Sequence, residues 1–422
     1  MRVISTNNTP RRRINIIERG SIQRRHKPDY WLLIITVALL AIGLIVIYTI
    51  SPALSLNSNL GENYYINRQM IAVGLGVIGF LITSSMPIAY WKKLTRPLVV
   101  LALLSAIAVR LFGQQVNGAY RWIQIGGFSF QSNELIKFAI LILVASFLAG
   151  RIRDNLIKSS QKTLLPLFII LLVVLVVVAG LQSDLGSTGV IVLMMGSMAF
   201  IAGLPMRKIV TIGAIIVVGG LLAVSASSFR RERLLTFLHP TTNCQSTGYQ
   251  ACQALISVGS GGLMGLGLGR SVQANGYEPE AANDSIFAIY AEELGLVGDI
   301  VLLALFTALF VRIKNIVERS PDDFSRLIVM GILAWLSTQT LINVGAMIGV
   351  IPFEGITLPF ISYGGTSILF VTAAIGLVFQ ISRYTTYNLP IIEKGSEGKK
   401  DENSYDRRGI RRAYNPNLSG RS

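Results

Sequence analysis

The stretch YEPEAANDSIFAIYAEELGLVG, residues 277–298, joins the most acidic part of the chain to the start of an apolar segment. Five of the chain's 22 Asp and Glu residues lie in it: Glu278, Glu280, Asp284, Glu292 and Glu293. An ionisable side chain at the mouth of a membrane helix is costly to place, which makes it a candidate for function. Asp284 is the last carboxylate before the apolar segment begins, and we expect it to be the chemical centre at the outer end of a membrane bundle.

The composition indicates a membrane protein. Hydrophobic residues make up 52% of the chain and charged residues 14%, and the mean hydropathy is +0.57. A bilayer core of about 30 Å is crossed by about 20 helical residues, and ten apolar runs approach that length. We predict an all-α integral membrane protein with ten transmembrane helices, at about 30–51, 67–86, 97–113, 133–150, 163–182, 186–204, 207–226, 285–311, 326–350 and 365–383. The first run is too long for a signal peptide and lacks a small-residue cleavage site, so we interpret it as a retained anchor.

The distribution of Lys and Arg predicts the orientation. If the amino terminus is inside, the inner segments hold 30 of the 38 Lys and Arg residues, as the positive-inside rule requires. These segments are 1–28, 92–96, 151–162, 207–208, 312–326 and 383–422. Both termini are therefore expected on the cytoplasmic face. The net charge of +16 is then explained by tails beside anionic lipid headgroups, and no nucleic-acid partner is expected.

The same topology predicts the domain organisation. Segments 1–28 and 386–422 are rich in Arg, Asn and Ser, which predicts disordered cytoplasmic tails on either side of a ten-helix domain at 29–385. The outer connections are 52–66, 114–132, 227–284 and 351–364. The third, between spans seven and eight, has about 58 residues. It is too long for a plain connector and is therefore the natural place for function.

The large outer loop holds both cysteines and a group of arginines. For Cys244 and Cys252, a disulfide is one outcome on this oxidising side, and two free thiols are the other. Arginines on the extracytoplasmic side suggest an anionic partner such as a pyrophosphate. The alternative is that their side chains extend along the membrane surface to phospholipid phosphates. The arginines are Arg230, Arg231, Arg233 and Arg270. We interpret the residues before Arg270 as an amphipathic segment on the membrane, followed by a flexible glycine turn.

Two polar pairs lie near the start of the fourth span. Arg121 and Trp122 are either an interfacial anchor or a cation-and-aromatic contact for a lipid headgroup or a sugar. Glu134 and Lys137 share one helical face at i, i+3, below the surface, where an unpaired charge is costly. They are either a mutual ion pair or the polar lining of a cavity under the outer loops.

Three further polar residues have both a structural and a functional interpretation. Asp184 precedes the sixth span, where an Asp is most often an N-cap; a second carboxylate site or a cation ligand is the alternative. Gln339 and Asn343, at i, i+4 in the ninth span, are typical of amides that hold membrane helices together, although a translocation path could also use them. The two histidines are isolated and no cluster of His and Cys ligands is apparent, so zinc and acyl-enzyme chemistry are not expected.

The last outer loop, IPFEGITLPFISYGGTS at 351–367, is interrupted by proline and glycine. This pattern suggests a broken, partly re-entrant start to the tenth span. A helix that begins near Thr366 would direct its free amide groups outward, toward an anion. The substrate-binding candidates in this loop are Ser362, Tyr363, Gly364 and Gly365.

Four separated motifs resemble the SEDS family (shape, elongation, division and sporulation), which includes the RodA, FtsW and SpoVE proteins. The motifs are YRWIQIGGFSFQSNELIK (120–137), QSDLGST (182–188), NDSIFAIYAEELGLVG (283–298) and TLPFISYGGTS (357–367). They follow the family's order, and the resemblance covers about residues 30–385. The stretches RRERLLTFLHP and ISR at 381–383 are more similar to FtsW than to RodA.

The resemblance implies a peptidoglycan glycosyltransferase of the bacterial cytoplasmic membrane, which polymerises lipid II at the outer face. It implies a class B penicillin-binding protein, the cross-linking transpeptidase, as partner, together with other proteins of the division or elongation machinery. Asp284 matches the family's catalytic aspartate and Trp122 its functional tryptophan. Glu134, Lys137 and Asp184 match further family residues.

Four residues depart from the family pattern without removing an ionisable group. Ser132 and Ser183 stand where proline is usual, and Asn283 and Ser285 where threonine and phenylalanine are usual.

The expected chemistry is displacement at a sugar C1 with Asp284 as general base. The loop arginines or a divalent cation, Mg²⁺ or Mn²⁺, would offset the diphosphate charge, and no organic cofactor is expected. The other two interpretations are a lipid II flippase and a non-catalytic scaffold for the transpeptidase.

Overall fold

The computed structural model shows a bundle of helices with two small sheets. The described residues are 22–25, 27–57, 60–116, 119–125, 128–225, 231, 235, 237–238, 244–245 and 248–387. The helices are α1 (Tyr30–Asn57), α2 (Tyr64–Ser85), α3 (Ile88–Phe112), α4 (Ser132–Arg153), α5 (Ser160–Leu181), α6 (Leu185–Ile201), α7 (Met206–Ser225), α8 (Tyr249–Ser260), α9 (Ile286–Arg319), α10 (Asp323–Met347) and α11 (Gly365–Ile381). The ends of α5 are π-helical, around an α-helical centre at Leu165–Val174.

The helices agree with the apolar runs of the sequence. Each predicted span overlaps one of them, and α8 lies where an amphipathic segment is predicted. Seven of the described helices, α1 to α5, α9 and α10, are long and apolar enough to cross a membrane, and α6 and α11 are apolar but shorter. A helical, multi-pass membrane protein is thus confirmed.

The centre of the bundle is formed by α4, α10 and α11. The first turns of α4 are buried on every side, and α10 and α11 are buried along most of their length. By contrast, α2 and α3 expose rows of Leu, Ile and Val on their outer faces, as lipid-facing helices do. Small residues bring α2 against α11: the Thr372 hydroxyl donates to the Gly76 carbonyl at 3.0 Å, and a Cβ at Gly76 would come within 2.8 Å of that hydroxyl.

Two antiparallel sheets depart from the all-α prediction. Strands β2 (Gln114–Val116), β3 (Ala119–Ile125) and β4 (Phe128–Gln131) form a three-stranded sheet in that order, where the sequence predicts an irregular loop. Strand β1 (Ile22–Arg25) pairs with β5 (Tyr384–Tyr387). Strand β1 and the last two residues of β5, Thr386 and Tyr387, lie within the segments predicted as disordered tails. Apart from Lys27 and Pro28, the rest of both predicted tails lies outside the described residues.

The β1–β5 pair belongs to one face of the bundle where both ends of the helical domain meet. Asp29 accepts from an Arg312 guanidinium nitrogen at 3.0 Å, and its backbone N–H donates to the Ser382 hydroxyl at 3.1 Å. The start of α1, the end of α11 and the later part of α9 therefore lie together. Asp284 precedes the opposite end of α9, on the other face.

Candidate active site

Asp284 lies in the last turn before α9, and its backbone is held from the core. The side chain of Asp284 is half-buried. The Asn343 amide donates to the Asp284 carbonyl at 2.7 Å and to the Ile356 carbonyl at 2.7 Å. Asn343 therefore connects α10 to the loop before α9 and to the loop before α11, and it fixes the point from which the Asp284 carboxylate projects.

The loop before α11 packs directly against the Asp284 segment. The Tyr363 N–H donates to the Ala282 carbonyl at 2.8 Å. The buried Ser362 hydroxyl accepts from the Leu358 N–H at 2.7 Å, so Ser362 shapes the loop from inside, and its predicted substrate contact stays a prediction. Gly364 caps α11 and Gly365 begins it, in agreement with the predicted helix start near Thr366.

An arginine that the sequence analysis did not select lies beside this loop. Arg68, in α2, stacks on the Tyr64 ring with 4.2 Å to the ring centroid, and Tyr65 makes an edge contact with Tyr363 at 5.3 Å between centroids. Burial raises the pKa of the Tyr363 hydroxyl, and Arg68, which hydrogen-bonds to it, acts in the opposite direction. The signal available in the sequence is a cation at the outer end of an apolar run. Arg68 therefore adds a half-buried positive charge to the Tyr363 side of the site.

Glu278 is a second carboxyl group near Asp284. It is only 3% exposed, and neither of its oxygens accepts a hydrogen bond of normal geometry from a described residue, although Ser285 lies near. Burial raises its pKa to about 8, and the negative charges of Asp284 and Glu292 contribute in the same direction. Glu278 therefore holds a proton at neutral pH, so that Asp284 does not face a second full negative charge there.

The helix that follows Asp284 is broken after about two turns. Gly295 has φ 64° and ψ −170°, values outside any helix, and the segment Gly261–Gly267 lies against the break. Two N–H groups of that segment, at Leu266 and Gly267, donate to the carbonyls of Glu292 and Glu293, at 2.9 Å each. In return, the Leu296 N–H donates to the Gly262 carbonyl at 2.9 Å.

Only glycine fits this contact. A Cβ at Gly265 would lie 2.1 Å from the Glu293 carbonyl oxygen, and one at Gly295 would lie 2.3 Å from the Gly265 nitrogen. The predicted flexible glycine turn is therefore wrong, because backbone hydrogen bonds and close packing fix it. We call this backbone contact, between 261–267 and 291–297, the glycine clasp.

Glu292 and Glu293 support the clasp and are not free for chemistry. Glu292 accepts from the hydroxyls of Ser271 at 2.5 Å and Ser257 at 3.2 Å, and from the Val272 N–H at 3.1 Å. Glu293 accepts from the Gly269 N–H at 2.9 Å and from the Thr49 hydroxyl at 3.1 Å. Of the five acidic residues in the stretch 277–298, Glu292 and Glu293 hold the chain between α8 and α9 in place.

Beneath the site, Glu134 and Lys137 form the predicted ion pair. The Lys137 ammonium lies 2.7 Å from a Glu134 carboxylate oxygen and donates to the side-chain amide oxygen of Gln339, Oε1, at 2.8 Å. Gln339 also accepts from the Trp335 indole at 2.7 Å and donates to the Thr357 carbonyl at 2.9 Å. Both charged side chains are at most 2% exposed, so they do not line an open cavity. They support the loop that carries Tyr363.

Asp184 is the N-cap of α6. Its carboxylate accepts from the Ser187 N–H at 3.0 Å and the Ser187 hydroxyl at 2.8 Å, and from the Asn133 amide at 2.5 Å. Asp184 is 1% exposed. These contacts satisfy the structural interpretation, and the side chain offers no surface to a substrate.

The remaining predicted positions lie in the β2–β4 sheet and in the chain between α7 and α9. Trp122 is half-buried in β3, beside Arg121 in the chain. Arg231 and Arg270 are exposed, whereas Arg230 and Arg233 lie outside the described residues. Cys244 and Cys252 form a disulfide, the first of the two outcomes left open by the sequence.

A caged metal site does not occur among the described residues, which contain no group of three His, Cys, Asp or Glu side chains suited to a metal. Magnesium, however, needs only one or two carboxylates when substrate phosphates complete its shell. The half-buried Asp284 carboxylate fits that kind of shared site, whereas Glu278, which is buried and protonated, does not.

Known proteins agree with this architecture. The family model described as cell cycle protein, FtsW/RodA/SpoVE, matches residues 30–387. A probable peptidoglycan glycosyltransferase FtsW of Coxiella burnetii is 38% identical, over 85% of this chain and 97% of its own length. Stage V sporulation protein E of Bacillus subtilis is 35% identical, over 86% of this chain and 99% of its own.

Solved structures share the fold. A chain of a peptidoglycan synthase complex that coordinates polymerization and crosslinking aligns with a TM-score of 0.71 and 27% identity, covering 84% of this chain and 98% of that chain. The rod shape determining protein RodA of Thermus thermophilus aligns with a TM-score of 0.62 and 28% identity, covering 84% of this chain and 97% of that chain. The protein described here therefore belongs to the FtsW/RodA/SpoVE family, the SEDS family, and is FtsW-like.

Proposed function

We propose that this chain is a peptidoglycan glycosyltransferase that polymerises lipid II, with Asp284 as its general base. The observation that carries the proposal is the placement of Asp284: a half-buried carboxylate on the face opposite the chain ends, held through Asn343 and lying beside the Tyr363 loop. The names of the relatives support the same activity.

The membrane arrangement completes the proposal. Ten crossings and the excess of Lys and Arg on one side put both termini in the cytoplasm. Asp284 then faces the outer surface of the cytoplasmic membrane, where lipid II is presented. A class B penicillin-binding protein is the proposed partner, supported by the synthase complex whose chain shares this fold.

The chemistry follows from one base and one stabilised leaving group. The Asp284 carboxylate accepts the proton of the acceptor sugar's 4-hydroxyl, and that oxygen forms a bond to C1 of the donor sugar. The bond from C1 to the diphosphate oxygen breaks, undecaprenyl pyrophosphate leaves with the electron pair, and the α-linked donor becomes a β-linked product. Diphosphate is a good leaving group, so a general acid is not required.

Positive charge near the leaving group lowers the barrier further. Arg68 at the Tyr363 loop and the exposed Arg231 and Arg270 are the described candidates, and Arg230 and Arg233 complete the proposed set. Asp284 would hold a divalent cation together with the substrate phosphates, and that cation would neutralise diphosphate charge when bound.

The test is polymerisation of lipid II by the purified complex with its transpeptidase. Asp284→Asn should reduce the rate by roughly 10²–10⁴-fold, the usual contribution of a positioned general base. Glu62→Gln, which neutralises an exposed carboxylate in another outer connection, is the matched control and should leave the rate unchanged. Glycan strands formed by Asp284→Asn at the normal rate would refute the assignment.

The flippase and scaffold interpretations make different predictions in liposomes. The pair that a polar path would use, Glu134 and Lys137, is buried and engaged with Gln339, which favours the enzyme. Lipid II added only to the outer surface should become glycan. Transfer of lipid II across the bilayer without glycan formation would support a flippase. If the complex assembles normally but shows neither transfer nor glycan formation, the scaffold interpretation is supported.

A further inference from the structure

An apolar groove lies on the opposite half of the molecule from Asp284. It has a volume of about 340 Å³ and is open on one side, between the parts of α5, α6 and α7 nearest the face of the chain ends. That size lies at the lower end of the ~300–1,000 Å³ typical of small-ligand sites. Its walls are almost entirely apolar, with Leu171, Met195 and Ile212 among them.

A glycine provides part of the open space in this groove. A Cβ built at Gly213 would meet no atom within 4 Å, although Gly213 belongs to the lining. A glycine inside a helix lowers the stability of that helix. At Gly213 the missing side chain leaves room for a slender apolar chain.

The end of the groove nearest the chain-end face is cationic. Lys208, at the start of α7, donates to the Ser160 hydroxyl at the start of α5, at 2.8 Å, and joins the two walls there. Lys162 and Arg207 are exposed beside it. None of these three forms a salt bridge with a carboxylate of the described residues, and the one acidic residue of the preceding turn, Asp154, is paired with Arg153 at 3.3 Å.

We propose that this groove binds an anionic phospholipid of the inner leaflet. One acyl chain lies between α5 and α7, and the phosphate group is held by Lys162, Arg207 and Lys208. An apolar slot alone would accept any lipid, but three cations without acidic partners select a headgroup with net negative charge. The bound lipid would bridge α5 to α7, the helix that leads into the large outer loop.

The test compares lipids with identical acyl chains on the purified full-length protein. Native mass spectrometry would follow titration with phosphatidylglycerol and with phosphatidylcholine. The wild type should retain phosphatidylglycerol at least tenfold more tightly. Lys162→Gln/Lys208→Gln should abolish this preference, and Lys162→Arg/Lys208→Arg should preserve it. Gln at position 208 still offers a donor to Ser160, which protects the fold.

The groove itself is tested with a pair of glycine variants in α7. Gly213→Leu should fill the slot and weaken retention of both lipids, whereas Gly219→Leu, at a position equally free of neighbours but outside the lining, should change nothing. An unchanged phosphatidylglycerol preference in the Gln double variant would overturn the proposal. So would displacement of phosphatidylglycerol from wild type by equimolar undecaprenyl pyrophosphate, since the groove would then hold a lipid-linked diphosphate.

Discussion

Glu134 and Asp284 are both carboxylates near the outer ends of helices, yet their surroundings are opposite. Glu134 is buried against Lys137, whose ammonium also reaches Gln339, so that the charge is neutralised inside the protein. Asp284 is half-buried, its backbone carbonyl accepts from Asn343, and its carboxyl neighbour Glu278 is buried and protonated. The comparison teaches that the first carboxylate stabilises the loop before α11, whereas the second keeps the partial exposure that the proposed base requires.

The largest expected effect concerns the stability supported by the buried pair. Lys137→Met leaves the Glu134 charge buried without its partner, which should cost about 3–5 kcal/mol of unfolding free energy. The double variant Glu134→Gln/Lys137→Met removes both charges and should recover most of that loss. Denaturant unfolding of the detergent-solubilised protein measures both. If both variants lose the same free energy of unfolding, the unpaired Glu134 charge is not the cause of the loss in Lys137→Met.

The connection between the two regions is Asn343. Asn343→Leu removes the hydrogen bonds to the Asp284 and Ile356 carbonyls, and a misplaced base should lower kcat by roughly 10–100-fold. KM should change little, because Asn343 positions the site without touching substrate. Thr340→Val, a buried substitution earlier in the same helix, is the control. A rise in KM at constant kcat would assign Asn343 to substrate binding.

The smallest effect is a pH dependence that originates at Glu278. Burial first, and then the charges of Asp284 and Glu292, raise its pKa from 4.5 to about 8. Between those values the folded protein holds a proton that the unfolded chain has released, so stability falls as pH rises. Glu278→Gln removes this decline. Its Tm advantage over wild type should therefore grow from about pH 5 to about pH 8 and then level off.

The control for this measurement is Glu280→Gln, since Glu280 is exposed in the same turn. The Tm of Glu280→Gln should follow the wild-type curve across the same pH range. Parallel curves for wild type and Glu278→Gln would mean that Glu278 titrates normally in the folded protein.

Features that depend on neighbours in the chain could be predicted from the sequence. Apolar runs located the helices, the i, i+3 spacing identified the Glu134–Lys137 pair, and the position of Asp184 before α6 identified its N-cap. The disulfide between Cys244 and Cys252 was one of two stated outcomes. In each case, the decisive partner is within a few residues or the pattern is intrinsic to one helix.

Features that depend on distant partners could not be predicted. Strand β1 forms only because β5, more than 350 residues later, lies beside it. The break at Gly295 has no local signal, since one glycine in an apolar run is compatible with a helix; the contact with Gly265 decides it. The contact of Arg68 with Tyr363 could not be predicted, because it depends on the packing of α2 against the loop before α11. The inward hydrogen bond of the Ser362 hydroxyl likewise cannot be read from the sequence.

The glycine clasp has a mechanical consequence. Side chains adapt to a neighbour by changing rotamer, but two main chains in direct contact have no such freedom. The clasp therefore fixes the position of the first part of α9, which follows Asp284. A single methyl group at position 265 or 295 would lift or tilt that helix without approaching the substrate. The position of Asp284 is therefore dictated by main-chain contacts that lie at least seven residues away from it in the chain.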